Sequence, residues 1–245
     1  MNWYRADLHI HSVLSPCGDL DMSPVRIIQE AKAKKLDIIG ITDHNSTLHA
    51  ESMLKLGQQE GIVVFPGAEV TTREEVHCLT FFENIEKTKE FQQFIDSHTV
   101  AIKNKPERFG YQLLVNSKEE ILDTVESLLI VGLDATINEI EQEVHRLDGV
   151  FIPAHVNRAS TSIFTQMGFI PEDLDIDAIE YSAAVTENEL LEKRKELAAY
   201  SLISNSDAHY PNQLGQRVTS YFMNEPSFSE WKKALKGIDG RKIKV

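Results

Sequence analysis

Asp7-Leu8-His9-Ile10-His11 follows directly on Met1-Asn2-Trp3-Tyr4-Arg5-Ala6, and the reading of this stretch decides how the rest of the chain is understood. In a β-strand the side chains alternate, so His9 and His11 point to one side and Asp7 is expected there too. Imidazole nitrogen is a good ligand for zinc, iron, nickel and copper. A lone H-x-H pair is a common accident. Its weight comes from a pattern that recurs downstream, in which an apolar run ends on a histidine or a carboxylate.

Asp37-Ile38-Ile39-Gly40-Ile41-Thr42 is nearly continuous and β-branched, as a buried parallel strand requires, and it ends on Asp43-His44. Gly61-Ile62-Val63-Val64-Phe65-Pro66 leads into Gly67-Ala68-Glu69, and Glu75 to Phe82 reads as a strand holding His77. Gly149 to Pro153 ends near Ala154-His155. Ala178-Ile179-Glu180-Tyr181 and Ser201-Leu202-Ile203-Ser204 follow, the latter running into Asn205-Ser206-Asp207-Ala208-His209, and Val218 to Met223 is a late strand. Helices fall between them. Ser23-Pro24 is an N-cap with proline at the first helical position, a second helix is expected over 47–59, and Thr186-Glu187-Asn188-Glu189 and Ser227-Phe228-Ser229-Glu230 open two more. This alternation predicts one α/β barrel domain over 1–245, with its active site at the C-terminal ends of the strands.

Residues 85–146 break the rhythm and read as a mainly helical insertion. Phe91, Phe94 and Ile95 have helical spacing, and Ser117-Lys118-Glu119-Glu120 and Thr136-Ile137-Asn138-Glu139 are capping-box patterns. The chain has nine histidines. His9, His11, His44, His77, His155 and His209 converge with Asp43, Glu69 and Asp207 at strand ends, whereas His49, His98 and His145 are expected on polar helix faces, outside the site.

At 245 residues, 42% hydrophobic and 26% charged, the chain has the make-up of an ordinary globular domain. The net charge of −13 argues against general duplex nucleic-acid binding. It leaves room for a small anionic substrate, because bound metal inverts the local electrostatics. Ser127-Leu128-Leu129-Ile130-Val131-Gly132 is far too short to cross a membrane, so no membrane partner is expected. With only Cys17 and Cys78 and no leader-like start, a cytoplasmic location without disulfides is expected.

Taken in order, Asp7-Leu8-His9-Ile10-His11-Ser12, Thr42-Asp43-His44-Asn45, Gly67-Ala68-Glu69, His77, Pro153-Ala154-His155-Val156-Asn157-Arg158 and Ser206-Asp207-Ala208-His209 resemble the motifs of the PHP (polymerase and histidinol phosphatase) superfamily, across residues 5–215. The resemblance implies a distorted (β/α)7 TIM-like barrel with two or three divalent ions (zinc, manganese or iron) at its C-terminal face. By the same resemblance His9, His11 and Asp207 would hold the first metal, and Glu69 would bridge to a second held by His77 and His155. A third would take His44, His209 and a ligand from the loop after the first strand. Relatives place Asp or His in that loop. Here Cys17 stands there, with Asp19 and Asp21 close by.

The activity implied is that of a metal-dependent phosphoesterase, hydrolysing a small phosphomonoester or nucleotide through a metal-activated hydroxide. Glu69, Asp207, Arg158 and Asp43 are the expected catalytic residues, Asp43 by orienting a ligand. Arg158 is expected to fork two phosphoryl oxygens, with Asn157 and Arg217 as further substrate contacts. Lys105, Arg108 and Tyr111 of the insertion are placed to reach over the site. Two other readings are a metal-binding scaffold without turnover and a hydrolase of a non-phosphate ester or amide.

Overall fold

The computed structural model describes residues 1–245. The first strand, β1 (Asn2–Asp7), is followed by the Ser12–Gly18 loop and α1 (Pro24–Ala33), whose N-cap Ser23 accepts the Arg26 N–H. β2 (Ile38–Ile41) leads to α2 (Ala50–Glu60), which stops at Gly61, a left-handed residue with φ of 74°. The helix begins later than the expected Thr47, because Gln92 Oε1 accepts both the N–H and the hydroxyl of Thr47 at 2.6 and 2.9 Å.

β3 (Val63–Thr71) and β4 (His77–Phe81) form a hairpin. Residues 85–146 hold α3 (Ile85–His98), the short α4 (Pro106–Phe109), β5 (Leu113–Val115), β6 (Ile121–Thr124) and α5 (Ile137–Arg146). The expected capping box at Thr136 and Glu139 is formed. Ser117-Lys118-Glu119-Glu120, by contrast, does not open a helix. It is the tip of the β5–β6 hairpin, because the Asn116 side chain accepts the N–H groups of Lys118 and Glu120 at 2.8 and 3.1 Å and fixes a turn.

β7 (Val150–Pro153), α6 (Ile163–Gln166), β8 (Ile179–Glu180), α7 (Glu187–Lys193), β9 (Leu202–Ile203), β10 (Thr219–Met223), α8 (Phe228–Leu235) and β11 (Lys242–Lys244) complete the chain. The main sheet runs β11-β10-β1-β2-β3-β4-β7, and β8 pairs with β9. β1, β2 and β3 are parallel, while β4 is antiparallel to both β3 and β7, so the sheet is mixed where the sequence suggested a parallel one. The Val156 N–H donates to Glu180 O, and Ile10 bridges Ala208 in parallel. These contacts tie the β8–β9 ribbon between β7 and β1 and close a distorted TIM-like barrel.

Ala6, Ile38, Phe65, Leu79, Ile152 and Ile203 fill the interior from successive strands, with Trp231 of α8 as a plug. Ile39, Ile41 and Ile10 face α1 and α2 on the outside. Leu8 still packs with Ala6 in the interior, whereas Ile10 packs outside. Strand alternation therefore breaks once β1 ends, and Asp7 parts from His9. The expectation that Asp7 joins the histidines is corrected accordingly.

Candidate metal centre

The strand ends bring six donor side chains around one carboxylate. Glu69 Oε1 lies 3.4 Å from His9 Nε2, 2.9 Å from His77 Nδ1 and 3.0 Å from His155 Nε2. Its Oε2 lies 3.3 Å from His11 Nε2 and 3.1 Å from His44 Nδ1. Asp207 Oδ1 closes the other side, 3.3 Å from His9 Nε2 and 3.4 Å from His11 Nε2. His9 Nε2 and His11 Nε2 face each other at 3.2 Å.

These spacings are those of ligand atoms around a shared cation. Nitrogen and oxygen ligands about 2.0–2.2 Å from a metal stand about 3.0–3.6 Å apart along the edges of its shell. The nitrogen His44 Nδ1 is buried, and despite its closeness to Glu69 it has no hydrogen-bond partner. A buried imidazole nitrogen left in that state is costly unless a cation takes its lone pair. The donor set therefore fits divalent metal.

Electrostatics agree. Burial opposes protonation of His9, yet Glu180, Asp207 and Glu69 outweigh it and hold the imidazole well above its ordinary value. His11, equally buried, is raised to about 9 by Asp207 and Glu69. Burial would raise Glu69, but His77, His9 and His44 pull it well below the ordinary carboxylate range. Burial and the cationic His11 push His209 down to about 4. The acids thus demand positive charge at the centre of the cluster, and protons on His9 and His11 supply it only partly.

Three residues that shape the site have left-handed backbones: Asn45 (φ 42°), His155 (φ 30°) and Asp207 (φ 52°). Such conformations persist only where surrounding contacts over-determine them. Asn45 is clamped by giving its amide hydrogens to Leu129 O and Val131 O at 2.7 and 2.8 Å, which fastens the insertion to the barrel rim. Asp207 is positioned by Asp7, whose carboxylate accepts the Ser206 N–H and hydroxyl and the Gly215 N–H.

Cys17 joins a further group: its Sγ and the ring nitrogens of His11, His44 and His209 all lie within 4.8 Å of one another. Gly18 is required beside it, because a Cβ there would meet Ser12 O at 2.2 Å. Partial enclosure, then the charges of Glu69 and Asp207, push the Cys17 thiol up to about 12. Asp19 and Asp21 stand apart from this group. The Asp19 carboxylate accepts the Asp21 N–H at 2.9 Å, and Asp21 lines a separate cavity with Leu20 and Ile121.

Asp43 contacts the ring nitrogens of the cluster only through Ser15. Its Oδ1 accepts from the Ser15 hydroxyl at 2.7 Å, and Ser15 Oγ lies 3.0 Å from His11 Nδ1. Arg158 pairs with the outer oxygen of Asp207 at the rim. Asn157 bonds Ser182 through both ends of its amide, at 2.9 and 2.8 Å. Both residues line a cavity of about 350 Å³ with His155, Glu180 and Asp207. Arg217 lies outside that lining, donating to Ser204 Oγ at 3.0 Å and Tyr181 Oη at 3.2 Å.

Two residues escaped sequence reasoning. Glu180, fully buried, accepts from His9 Nδ1 at 3.0 Å, from Asn205 Nδ2 at 2.8 Å and from the His155 N–H at 3.1 Å. An acid inside the apolar run Ala178-Ile179-Glu180-Tyr181 was the available signal. His49, expected on a polar helix face, is buried beneath the cluster, with its Nδ1 2.6 Å from Ser12 Oγ. His145 sits between Asp177 Oδ2 at 3.0 Å and Glu141 Oε1 at 2.5 Å, a satisfied ion-paired histidine away from this cluster.

Residues 7–152 match the profile of the PHP domain family. The chain belongs to the PHP domain family. Uncharacterized protein YqxK of Bacillus subtilis is 24% identical to this PHP domain over 97% of the chain. The lesion-specific endonuclease PfuEndoQ of Pyrococcus furiosus superposes with a TM-score of 0.77 at 25% identity over 99% of the chain. An Endonuclease Q complex with a 27-mer duplex substrate, carrying an abasic lesion at the active site, superposes at 0.77 with 24% identity over 98%. The chain spans 63% of the Bacillus subtilis relative and 58% of PfuEndoQ.

The Endonuclease Q complex corrects one expectation. The net charge argues against general duplex nucleic-acid binding, yet the same fold in that protein takes duplex DNA at its active site. Net charge sums the whole surface, whereas a phosphate meets only the local field, which a metal cluster can reverse. No helix of this PHP domain is long and apolar enough to cross a membrane.

Proposed function

We propose that this PHP domain hydrolyses phosphoesters at a dinuclear or trinuclear metal site, with a phosphodiester in a nucleic-acid strand as its substrate class. One observation carries the reading: a single buried carboxylate, Glu69, turns Oε1 to His9, His77 and His155 and Oε2 to His11 and His44. His9, His11, Asp207, Glu69, His77 and His155 would hold two ions, and Cys17, His44 and His209 a third. Divalent ions there would make a bound water acidic enough to attack phosphorus near neutral pH and would neutralise phosphoryl oxygens.

The protein groups supply the rest. Glu180 holds the His9 ring so that Nε2 faces the centre, and Asp43 holds His11 through Ser15. Arg158 is 42% exposed at the cavity that adjoins Asp207, where its fork can take two phosphoryl oxygens as charge grows on them. The resemblance to PfuEndoQ at 25% identity favours a nucleic-acid phosphodiester. A small phosphomonoester or nucleotide is the second reading, favoured by a cavity of about 350 Å³, which suits one nucleotide.

The test is a screen of metal-loaded protein against labelled single-stranded and duplex oligonucleotides, with and without an abasic site, alongside nucleotides and small phosphomonoesters. Strand scission supports the first reading. Release of inorganic phosphate from small esters alone moves the assignment to the second. Silence toward every phosphoester, with hydrolysis of an ester or amide panel, overturns both.

A further inference from the structure

Beside the cavity at the metal face lies a second one of about 320 Å³, between α6 and α7. Asn157 and Arg158 line both, so the two cavities adjoin at these residues. The second cavity also collects Lys193, Arg194 and Phe164 over an apolar floor that includes Val156 and Leu190. Three cations line it against one carboxylate, Glu189, already engaged by the N–H and hydroxyl of Thr186 in the α7 capping box at 2.7 and 2.8 Å; Arg158 also pairs with Asp207 and Arg194 with Glu196 at 3.4 Å, both outside the lining. In a chain of net charge −13, this is a locally cationic hollow.

Its chemistry is also divided in a useful way. The Arg194 guanidinium carbon stands 3.9 Å from the Phe164 ring centroid, so a flat cationic plane and an aromatic ring are already stacked. Lys193 is exposed beside them. A phosphate needs mobile cations at a rim, and a base needs a planar surface next to apolar groups. Both are present in one hollow, which adjoins at Arg158 the face where a scissile phosphate would lie.

We infer that this cleft is a subsite for the nucleotide flanking the scissile phosphate, its base against the Phe164–Arg194 stack and its phosphate against Lys193 and Arg194. The inference rests on the phosphodiester reading above and names what that substrate would touch beyond the metals. It makes the α6–α7 cleft the part of the domain that distinguishes an oligonucleotide from an isolated phosphoester.

The experiment measures fluorescence anisotropy of a dye-labelled oligonucleotide with metal-loaded protein, together with hydrolysis of bis(4-nitrophenyl) phosphate, a diester with no flanking nucleotide. The Lys193→Glu/Arg194→Glu double variant is expected to bind the oligonucleotide at least about tenfold more weakly, with a shallower salt dependence. Phe164→Ala is expected to weaken binding without changing that salt dependence. Lys89→Glu, a charge reversal on exposed α3, controls for the overall field. Thermal melts confirm that each variant is folded. Unchanged binding in the double variant, an equal loss in Lys89→Glu, or no oligonucleotide binding by wild type overturns the subsite. Weakened binding without any diester hydrolysis by wild type keeps the subsite and removes the phosphoesterase reading.

Discussion

His49 Nε2 accepts the backbone N–H of Val115 at 3.0 Å, so one buried imidazole of the barrel holds the inserted β5–β6 hairpin. Its other nitrogen, Nδ1, lies 2.6 Å from Ser12 Oγ, which in turn donates to Asp43 at 2.7 Å. From there Ser15 connects Asp43 to His11. A continuous chain of hydrogen bonds thus runs from the insertion to a candidate metal ligand, and buried networks of this kind fix the orientation of what they hold.

His49→Ala leaves the Val115 N–H buried without an acceptor and removes the brace on Ser12. Stability is expected to fall by about 2–3 kcal/mol, and metal affinity is expected to weaken with it. Denaturant unfolding and metal titration of the same variant separate the effects. A stability loss with wild-type metal affinity would confine His49 to a packing role.

Cys17 should be detectable through a metal. The thiol is raised to about 12 without one, so it labels slowly at neutral pH even when free, and protection from alkylation is a poor probe. A cation beside the sulfur would deprotonate it outright. Cobalt-substituted wild type is expected to show a thiolate-to-cobalt charge-transfer band that Cys17→Ser lacks. Identical spectra would remove Cys17 from the ligand set.

Metal uptake should release protons. His9 is held well above the ordinary histidine value and His11 at about 9, while a ligand imidazole must be neutral. Metal binding near pH 7.5 is therefore expected to release about two protons per chain from these imidazoles, and a third where Cys17 binds as thiolate, read by calorimetry in buffers of differing ionisation enthalpy, with affinity rising toward pH 9. The sign for stability follows. In metal-free protein the raised His11 imidazole stabilises the fold fully below about 6.5, and that contribution is lost as pH rises through about 9. Bound metal should abolish the loss. Binding enthalpies independent of buffer would contradict this protonation state.

The candidate ligands were legible because each closes an apolar run, so a one-dimensional pattern carries a three-dimensional convergence. His9, His44, Glu69, His155 and Asp207 all belong to that class. What surrounds them was less visible. Glu180 sits within a strand and is recognisable as a His9 partner only once β8 closes against β7. His49 lies among polar residues of a helix start, and its burial depends on a hairpin more than sixty residues away in the chain. Asp7 was assigned to the site by strand alternation, which fails one residue after the strand ends. The Ser117–Glu120 pattern matched a helix start, but the neighbouring Asn116 competed for the same N–H groups and won. Local signals therefore succeeded where backbone geometry is regular and failed where side-chain hydrogen bonds redirect it.

Glu69→Gln keeps the shape of the side chain and removes the charge that both faces of the cluster share. Loss of that carboxylate is expected to cost bound metal and reduce hydrolysis by orders of magnitude, with little effect on the fold measured by circular dichroism. Asp207→Asn is expected to act more mildly on metal content, because Asp207 Oδ1 approaches His9 and His11 and, at 3.7 Å, His209, against five imidazoles around Glu69. Equal metal content and rate in Glu69→Gln and wild type would show that Glu69 is not the shared ligand.

The most direct measurement is a back-titration of fully chelated protein with zinc, manganese or ferrous iron, following phosphodiester hydrolysis against metal bound per chain by elemental analysis. The Glu69-centred arrangement predicts no hydrolysis in the metal-free protein and a rate that rises as the second equivalent binds. Full hydrolysis by metal-free protein would contradict it.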